Sequence, residues 1–281
     1  MTAETFLKYK KMTKIKDNCV LITGGASGIG RIMGRMALEK GAKSLIIWDI
    51  NQENIDSTVK EFSALGKVKG YRVDVSNSDM VVASYEQCKA EVGAVDILIN
   101  CAGVVTSNKT FDKQTLTDID RTMSINAVAP MVVALQMLPA MIERDHGHVC
   151  NIASAGGMIA NPYMSVYSAS KWAVIGWSDS VRIELKRMKS HVRFTTVAPF
   201  FINTGMFEGV RSRFFPILDP EKTSRKIIRA IERNIDFCGI PWSSHFIRSC
   251  QGLLPKPIFD FIFGDVVGIY KTMDHFTGRK Q

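Results

Sequence analysis

The sequence lacks the features that mark repetitive, metal-binding and disulfide-linked proteins. No internal repeat, linker or low-complexity stretch interrupts its 281 residues, which excludes a solenoid or an array of small modules. Its five histidines show no metal-ligand spacing and its six cysteines form no C-x-x-C pair, so we predict no metal site. Because several of these cysteines lie in or beside apolar runs, we expect reduced thiols and a cytoplasmic location.

Signals for secretion and for spanning a membrane are also missing. The Lys-rich N-terminus is not followed by an apolar stretch, so we do not predict a signal peptide. No uncharged apolar run reaches about 18 residues, so we predict no transmembrane helix. Five Lys and one Glu in residues 1–16 supply +4 of the net charge of +9. Without a nucleic-acid motif, we interpret this charge as a solvated surface and predict no nucleic-acid partner.

Apolar runs of strand length alternate with segments of helical period along most of the chain. We predict strands at 19–23, 45–49, 68–73, 95–100, 148–153, 192–197 and 237–240, and helices at 28–40, 52–65, 78–92, 116–143 and 221–234. The long helix should bend at Pro130 or Pro139, and Pro162 should lie in the first turn of a helix that carries Tyr167. This alternation predicts an α/β fold, a single doubly wound Rossmann domain with a seven-stranded parallel sheet. The domain would carry a basic N-terminal tail at 1–16 and an apolar C-terminal extension at 243–281.

The stretch from Ser154 to Lys171 contains residues suited to proton transfer. Tyr167 and Lys171 are four residues apart, so on a helix they lie on one face. A free tyrosine titrates near ~10, and a cation about 4 Å away would lower its pKa toward neutrality. The Ser154 hydroxyl could hydrogen-bond the substrate oxygen that Tyr167 protonates or deprotonates. Taken alone, such a Tyr-Lys pair is more often an incidental feature of a surface helix, so the rest of the chain decides.

A glycine-rich turn follows the first predicted strand and opens a helix. It reads Thr23-Gly24-Gly25-Ala26-Ser27-Gly28-Ile29-Gly30, a spacing that differs from the G-x-G-x-x-G dinucleotide fingerprint. Glycines at such a turn let the backbone approach a pyrophosphate at the helix N-terminus. Asp49 ends the second strand, where a carboxylate can accept ribose hydroxyls and repel a 2′-phosphate, which predicts NAD. The alternative is that Asp49 only caps the next helix.

Together, an ordered set of motifs resembles the short-chain dehydrogenase/reductase family over about residues 17–242. The set comprises Thr23-Gly24-x-x-x-Gly28-Ile29-Gly30, Asp74-Val75, Asn100-Cys101-Ala102-Gly103, Asn126, Ser154, Tyr167-x-x-x-Lys171 and Pro199-x-x-Ile202-x-Thr204. Two positions depart from the family pattern. Cys101 replaces the usual second Asn, which should be tolerated, and Phe200 replaces the usual Gly after Pro199, which should narrow the pocket near the nicotinamide.

This resemblance implies a role for each matching residue. Asn126, Ser154, Tyr167 and Lys171 would be catalytic, with Asn126 holding a water that relays protons through Lys171. The implied NAD site comprises Gly24, Gly28 and Gly30 at the pyrophosphate, Asp49 at the ribose, Asp74 and Val75 at the adenine, Asn100, Ala102 and Gly103 along the cofactor, Ile202 and Thr204 at the carboxamide, and Ser27, Ile29, Pro199, Tyr167 and Lys171 around them. The implied activity is NAD-dependent oxidation of an alcohol or reduction of a ketone. Family members usually form dimers or tetramers through their two long helices, so we expect a homodimer or homotetramer.

A protein of another class, a catalytically idle scaffold that binds NAD or lipid, is the rival hypothesis. Such a protein would have no physical need for Ser154, Tyr167 and Lys171 together. Their presence favours the enzyme.

The last third of the sequence predicts a lipophilic substrate. Residues 200–218 are rich in Phe and too irregular for a core helix, so we interpret them as a mobile lid over an apolar substrate rather than as an ordinary packed loop. Met158, Tyr163 and Met164 should line the approach to Ser154. Arg211 and Arg213 could meet a carboxylate on the substrate, although exposed arginines are more often only solvated.

The C-terminal extension resembles that of the 17β-hydroxysteroid dehydrogenase and retinol dehydrogenase branch of the family. This resemblance implies a hydroxysteroid as substrate in the first place and retinol or a long-chain alcohol in the second. The apolar face of the extension could pack on the domain, close a partner's pocket or lie on a membrane surface, and packing within the protein or an oligomer is the favoured alternative.

Overall fold

Buried apolar strands form a seven-stranded, all-parallel sheet in this computed structural model, which describes residues 12–212 and 214–278. The strands are β1 Cys19–Thr23, β2 Ser44–Asp49, β3 Val68–Arg72, β4 Ile97–Asn100, β5 His148–Ile152, β6 Arg193–Pro199 and β7 Phe237–Ile240. Their order is β3-β2-β1-β4-β5-β6-β7, and every neighbouring pair is parallel. Most of the predicted basic tail, residues 1–11, lies outside the described residues, as do Arg213 and residues 279–281.

Helices cover both faces of the sheet. They are α1 Gly28–Glu39, α2 Gln52–Phe62, α3 Ser78–Glu91, α4 Leu116–Met123, α5 Ala129–Glu143, α6 Ser165–Arg187, α7 Pro220–Glu232, α8 Ser244–Leu253 and α9 Lys256–Phe259. Side chains of successive strand residues point to opposite faces, so Leu21 and Ile22 enter different core clusters and both are fully buried. This explains why central strands such as β1 and β4 are buried along their whole length, as the sequence predicted for a doubly wound fold, whereas the edge strand β3 is polar and half-exposed.

The strand order reverses between β1 and β4, and this reversal positions the candidate site. Crossovers from the two strands run in opposite directions, which opens a crevice at the carboxyl ends of the sheet. The glycine-rich turn after β1 and the loop after β4 both lie there, and the segments after β5 and β6 lie beside them. The topology therefore brings together motifs that are widely separated in the sequence.

The predicted helix at 116–143 is interrupted at Asn126. A π-helical segment at Ser124–Val128 joins α4 to α5, directly before Pro130. Pro130 has no N–H to donate to the carbonyl of Asn126, so the regular hydrogen-bond pattern breaks there, at one of the two predicted positions. Pro139 lies inside the regular helix α5.

The same stretch bears on the prediction that the chain has no transmembrane helix. Leu116–Glu143 is long and apolar enough to cross a membrane by length and composition alone. The structure packs this stretch on the sheet through buried residues such as Val133 and Met137, and 44% of its most apolar window is inside the protein. Packing on the sheet therefore accounts for much of the apolar character.

One predicted helix boundary was wrong. Helix α6 begins at Ser165, so Pro162 lies in the preceding turn and not in the first helical turn. Tyr163 adopts a φ of 66°, a left-handed conformation that a helix cannot include. The turn is set by tertiary packing of Met164, which is buried, rather than by the proline.

The C-terminal extension packs partly within the protein, which was the favoured alternative. Its inward-facing residues Phe259, Phe263, Ile269 and Met273 are buried. Its outward-facing large apolar residues remain exposed, namely Trp242, Phe246, Leu253, Ile258, Phe261 and Val266.

Candidate active site

The glycine-rich turn is built from glycines with two different functions. A side chain on Gly24 would lie 2.9 Å from the Ala102 Cα, and one on Gly30 would lie 2.1 Å from the Gly24 carbonyl oxygen, so both positions require glycine to form the turn. Gly28 differs because its nearest neighbour would be the Thr204 side chain, 3.8 Å away. The space beside Gly28 is thus free for a ligand group to approach the backbone.

The N-terminus of α1 offers unpaired donors at the same place. Ser27 is the N-cap residue, but its side chain makes no capping hydrogen bond, and the first turn contains no acidic residue. The first N–H groups of a helix have no intrahelical acceptor and favour an anion. The turn therefore fits a pyrophosphate, which such helix ends commonly bind.

Asp49 is held beside this turn at the end of β2. One of its carboxylate oxygens accepts a hydrogen bond from the Ala26 N–H (3.1 Å), and the other accepts one from the Asn51 N–H (3.1 Å). Helix α2 is capped by Asn51, whose side chain accepts from Asn54, so the alternative that Asp49 caps this helix is wrong. The carboxylate keeps free lone pairs for ribose hydroxyls.

The nearby basic side chains already have other partners. Arg31 pairs with Glu61, and its guanidinium also lies over the Phe62 ring. The Arg72 Nε donates to the Ile50 carbonyl at 3.3 Å.

The loop after β4 is fixed against the glycine-rich turn. Thr23 Oγ1 accepts hydrogen bonds from the N–H groups of Cys101 (3.1 Å) and Ala102 (3.2 Å). Asn100 Nδ2 donates to the Pro130 carbonyl (3.2 Å) and to Asn151 (2.9 Å), while its buried Oδ1 has no partner within the described part of the chain. Asn100 thus holds strands together from below the crevice.

A cavity of about 150 Å³ joins most of the predicted site residues. The predicted residues that line it are Gly24, Ser27, Gly28, Ile29, Gly30, Ala102, Gly103, Ser154, Tyr167, Lys171, Pro199, Ile202 and Thr204. The other predicted residues, Asp49, Asp74, Val75, Asn100 and Asn126, are outside this lining. Val75 packs in the core, and Asp74 accepts hydrogen bonds from Ser76, so their roles at the adenine remain predictions.

Ser154, Tyr167 and Lys171 meet at the inner end of this cavity. Tyr167 lies in the first turn of α6, where the Ser154 hydroxyl can donate a hydrogen bond to the Tyr167 oxygen, while the Ser154 oxygen accepts from the Gly156 N–H (3.1 Å). Lys171 Nζ lies 5.8 Å from the centre of the Tyr167 ring and donates to the Ile152 carbonyl at 3.0 Å. The hydroxyls of Tyr167 and Ser154 can therefore contact one substrate oxygen.

Asn126 is fully buried behind these residues, in the π-helical segment. Its Oδ1 accepts from the Val104 N–H (2.8 Å), and its Nδ2 donates to the Val104 carbonyl (2.9 Å). Asn126 Nδ2 also contacts Ser170 Oγ at 3.3 Å. These bonds hold the loop after β4 close to α6, while the predicted proton relay through a water stays a prediction.

The pKa of Tyr167 moves in the direction opposite to that predicted. Burial raises its pKa to about 12, although the hydrogen bond from Ser154 acts in the other direction. Burial lowers the pKa of Lys171 to about 8, and the thiol of Cys101 acts against this. The physical reason is that removal from water penalises both the phenolate and the ammonium, and the Lys171 cation is directed at the Ile152 carbonyl. Tyr167 therefore keeps its proton at neutral pH.

A second, apolar cavity adjoins the first at Ser154 and Tyr167. Its walls are Ala155, Gly156, Ile159, Asn161, Met164, Phe200, Phe201, Phe207 and Ile269. Phe200 lines both cavities and stacks on Phe215 at 4.3 Å between ring centres, as expected for a residue that narrows the pocket. Met164 is in the wall as predicted, whereas Met158 packs in the core and Tyr163 is 37% exposed, so their place at the approach to Ser154 stays a prediction.

Residues 200–218 and the C-terminal extension cover this apolar cavity together. The Tyr167 ring meets Phe207 edge to face at 6.0 Å, and Phe207 in turn contacts Phe276 of the extension. Backbone hydrogen bonds join the two segments, from Arg211 N–H to the Thr272 carbonyl (3.2 Å) and from Thr277 N–H to the Glu208 carbonyl (2.9 Å). The predicted lid is therefore in place over the site, and its mobility stays a prediction.

Sequence reasoning missed the extension residues that complete the site. Ile269 lines the apolar cavity, and Met273 packs with Tyr167 and Met164 in a small buried cluster. A third cavity of about 540 Å³ runs from Gly103 to Asn108 and is closed on one side by Phe276 and Thr277. No local pattern marks these residues, because their role depends on contacts with residues about a hundred positions away.

Comparison with known proteins agrees with this geometry. The profile of a family described as short chain dehydrogenase matches residues 18–213. Epidermal retinol dehydrogenase 2 of Mus musculus is 36% identical over 279 residues, which are 97% of this chain and 89% of that protein. Estradiol 17-beta-dehydrogenase 11 of Homo sapiens is 33% identical over 258 residues, which are 90% of this chain and 85% of that protein.

Solved structures share the fold. A short-chain dehydrogenase from Novosphingobium aromaticivorans superimposes with a TM-score of 0.73 at 26% identity, covering 90% of this chain and 88% of that chain. A metagenomic short-chain oxidoreductase in complex with NADP has a TM-score of 0.70 at 24% identity, covering 81% of this chain and 98% of that chain.

Proposed function

Because this chain belongs to the short-chain dehydrogenase/reductase family, whose members are oxidoreductases with a nicotinamide cofactor, we propose that it interconverts a lipophilic secondary alcohol and its ketone with NAD. The first choice of substrate is a hydroxysteroid, and the second is retinol or a long-chain alcohol. One observation carries this proposal. The cavity beside Tyr167 and Ser154 is walled by aliphatic and aromatic side chains from Met164, the 200–218 segment and Ile269.

The walls favour substrates that bury apolar surface. Burial contributes roughly 25 cal/mol per Å², so a steroid-sized molecule would gain affinity without many polar contacts once the cavity, of about 30 Å³ here, widens to admit it. Sorbitol or glucose would leave several hydroxyls unpaired in such a cavity, which is costly. The names of the relatives point to the same chemistry, since one is a retinol dehydrogenase and another an estradiol dehydrogenase.

Tyr167, Ser154 and Lys171 each have a separate role in the proposed reaction. When bound, NAD accepts or returns the hydride. Tyr167 donates its hydroxyl proton to the substrate oxygen during reduction, and in the oxidation its phenolate form accepts the proton of the substrate hydroxyl. Ser154 donates a hydrogen bond to the same oxygen. The Lys171 ammonium supplies the proton that Tyr167 regains after reduction, and it also holds the nicotinamide ribose. The proton held by Tyr167 at neutral pH suits the donor role.

NAD is the proposed cofactor because of Asp49. Its carboxylate is tied to the glycine-rich turn through Ala26, where a 2′-phosphate would meet its negative charge. Of the two arginines near this position, Arg31 is paired with Glu61, and Arg72 donates one hydrogen bond to the Ile50 carbonyl.

A substrate panel tests the proposal. The measurement is kcat/KM for hydroxysteroids, retinol, decanol, sorbitol and glucose, with NAD and with NADP, followed by the absorbance of the reduced cofactor. We expect the highest value for a hydroxysteroid with NAD. A preference for sorbitol or glucose would contradict the apolar cavity, and a preference for retinol or decanol would contradict only the steroid. Binding of NAD without turnover of any alcohol would instead favour the idle scaffold.

The proposal extends to assembly and location. We propose a single domain that forms a homodimer or homotetramer through α5 and α6, which expose the apolar residues Leu135 and Trp172. We also propose a cytoplasmic enzyme that touches membranes peripherally, supported by the exposed apolar residues Phe246 and Leu253 of α8 and Trp242, two residues before this helix.

A further inference from the structure

The apolar cavity contains one polar group that the proposed reaction does not use. Among the described residues that line it, only Ser154, Asn161 and Tyr167 have polar side chains. Ser154 and Tyr167 face the reacting oxygen. The Asn161 Oδ1 is buried and has no hydrogen-bond partner within the described part of the chain. A buried acceptor without a partner is uncommon and calls for a ligand or a water.

The hydrogen bond donated by Asn161 Nδ2 fixes the orientation of the side-chain amide. Asn161 Nδ2 donates to Thr272 Oγ1 at 2.8 Å, and Thr272 Oγ1 in turn donates its only proton to the Ile269 carbonyl at 2.8 Å. Rotating the amide by half a turn would place Asn161 Oδ1 against an oxygen that has no proton left to give. The group that remains for a ligand is therefore an acceptor.

The position of Asn161 associates this acceptor with the substrate. Asn161 lies seven residues after Ser154 and six before Tyr167, on the segment that joins the two proposed catalytic groups. Its neighbours in the cavity wall, Ile159 and Met164, are apolar and offer a ligand no polar side-chain group. Besides Ser154 and Tyr167, Asn161 is therefore the described residue of this wall whose side chain can bond a second hydroxyl of the substrate.

We propose that Asn161 determines specificity by accepting a hydrogen bond from a second hydroxyl group of the substrate. The preferred substrates are lipophilic secondary alcohols, or their ketones, that carry another hydroxyl on the same skeleton. An analogue with hydrogen in place of the second hydroxyl leaves Asn161 Oδ1 unpaired. An analogue with a keto group at that position brings its oxygen, an acceptor, against Oδ1, which is also an acceptor. This inference rests on the proposed function and adds the chemistry of the second substituent.

The chain offers a matched control at Asn108. Its Nδ2 also donates to the extension, at the Met273 carbonyl (3.1 Å), and its Oδ1 is also buried without a partner among the described residues. Asn108 lines the third cavity instead, where Thr106, Ser107 and Thr117 supply polar groups. Replacing Asn108 therefore removes a tether to the extension without touching the apolar cavity.

The experiment uses sets of three steroids that share the reacting alcohol and differ at one other ring carbon. That carbon bears a hydroxyl, a keto group or hydrogen, and several ring positions are compared. For the wild type we expect one position at which the hydroxyl raises kcat/KM at least about tenfold above both analogues. Asn161→Leu should reduce this ratio to near one, because the variant offers no acceptor to tell the hydroxyl from its two analogues. Asn108→Leu should retain the ratio.

Each outcome decides the inference. Equal rates for the three analogues at every position in the wild type would overturn it, because Oδ1 would then be satisfied by water alone. A preference that survives in Asn161→Leu, or that disappears equally in Asn108→Leu, would also overturn it. If Asn161→Leu does not fold, the wild-type series and Asn161→Ser decide. If the wild type turns over none of the alcohols, the proposed function itself fails, a result distinct from turnover without preference.

Discussion

Tyr167 combines a buried phenol with a neighbouring hydroxyl, and its removal should stop the chemistry without closing the cofactor site. Tyr167→Phe keeps the ring that packs on Phe207 and loses only the proton-carrying oxygen. General acid and base catalysis contributes ~10²–10⁴-fold, so we expect kcat to fall by at least about 10³-fold while NAD affinity changes little. Steady-state kinetics on the best substrate and a fluorescence titration with NAD measure both quantities. A variant that keeps most of its activity would contradict the role of Tyr167.

Lys171 should destabilise the folded protein at neutral pH. Burial lowers its folded pKa to about 8 from an ordinary value of 10.5, so the unfolded chain binds more protons between these values. Wild-type stability contributed by Lys171 therefore rises as pH increases from about 8 to about 10.5. We expect Lys171→Met to be more stable than the wild type near pH 7 by about 1 to 3 kcal/mol, with the gap closing near pH 10.

Urea unfolding of both proteins at several pH values measures this gap. Lys186→Met, at an exposed lysine in the last turn of the same helix, is the control and should show a difference that does not depend on pH. A gap that widens toward pH 10 would contradict the assignment. The Lys171 variant should also lose activity, which separates stability from catalysis.

Asp49 should select NAD over NADP. We expect kcat/KM with NAD to exceed that with NADP at least tenfold, about 1.4 kcal/mol. Asp49→Asn removes the charge at nearly constant shape, so the ratio should shrink several-fold, whereas Glu53→Gln on the neighbouring helix should leave it unchanged. Equal or better use of NADP by the wild type would overturn the role of Asp49.

At the scale of elements, the glycines of the turn between β1 and α1 have two functions: Gly30 is needed for folding, and Gly28 for binding the cofactor. Gly30→Ala brings a methyl group against the Gly24 carbonyl, so we expect a large loss of stability, seen as a lower Tm. Gly28→Ala meets no described atom closer than 3.8 Å, although its φ of +52° adds some strain. We expect Gly28→Ala to fold with a modest loss of Tm and to bind NAD at least about tenfold more weakly. Unchanged NAD affinity in Gly28→Ala would contradict the proposed pyrophosphate site beside Gly28.

At the scale of the whole molecule, two exposed apolar faces are candidates for the interface between subunits. Leu135 on α5 is 65% exposed and Trp172 on α6 is 45% exposed, on the two helices proposed to form the dimer. Leu253 at the end of α8 is 82% exposed but belongs to the C-terminal extension. We expect a homodimer or a homotetramer by light scattering, and dissociation of the α5–α6 contact in Leu135→Glu but not in Leu253→Glu. The reverse result would move the interface to the extension.

Much of this protein could be predicted from its sequence because the signals are local. Continuous apolar strands and intervening helical periods predicted the parallel sheet, since both faces of each central strand must be covered. The glycines after the first strand predicted a tight turn, and the structure leaves no room for a side chain at Gly24 and Gly30. The spacing of Tyr167 and Lys171 predicted one helical face.

Only the tertiary structure decided which distant residues act together. Ile269, Met273 and Thr272 reach the site by folding back over Tyr167 and Asn161, and no periodicity encodes a contact between segments about a hundred residues apart. The direction of the Tyr167 pKa was missed for the same reason, because desolvation depends on everything packed around the phenol. Sequence spacing determined the neighbours along each helix, while burial and the paths of distant segments determined the environment in which those neighbours act.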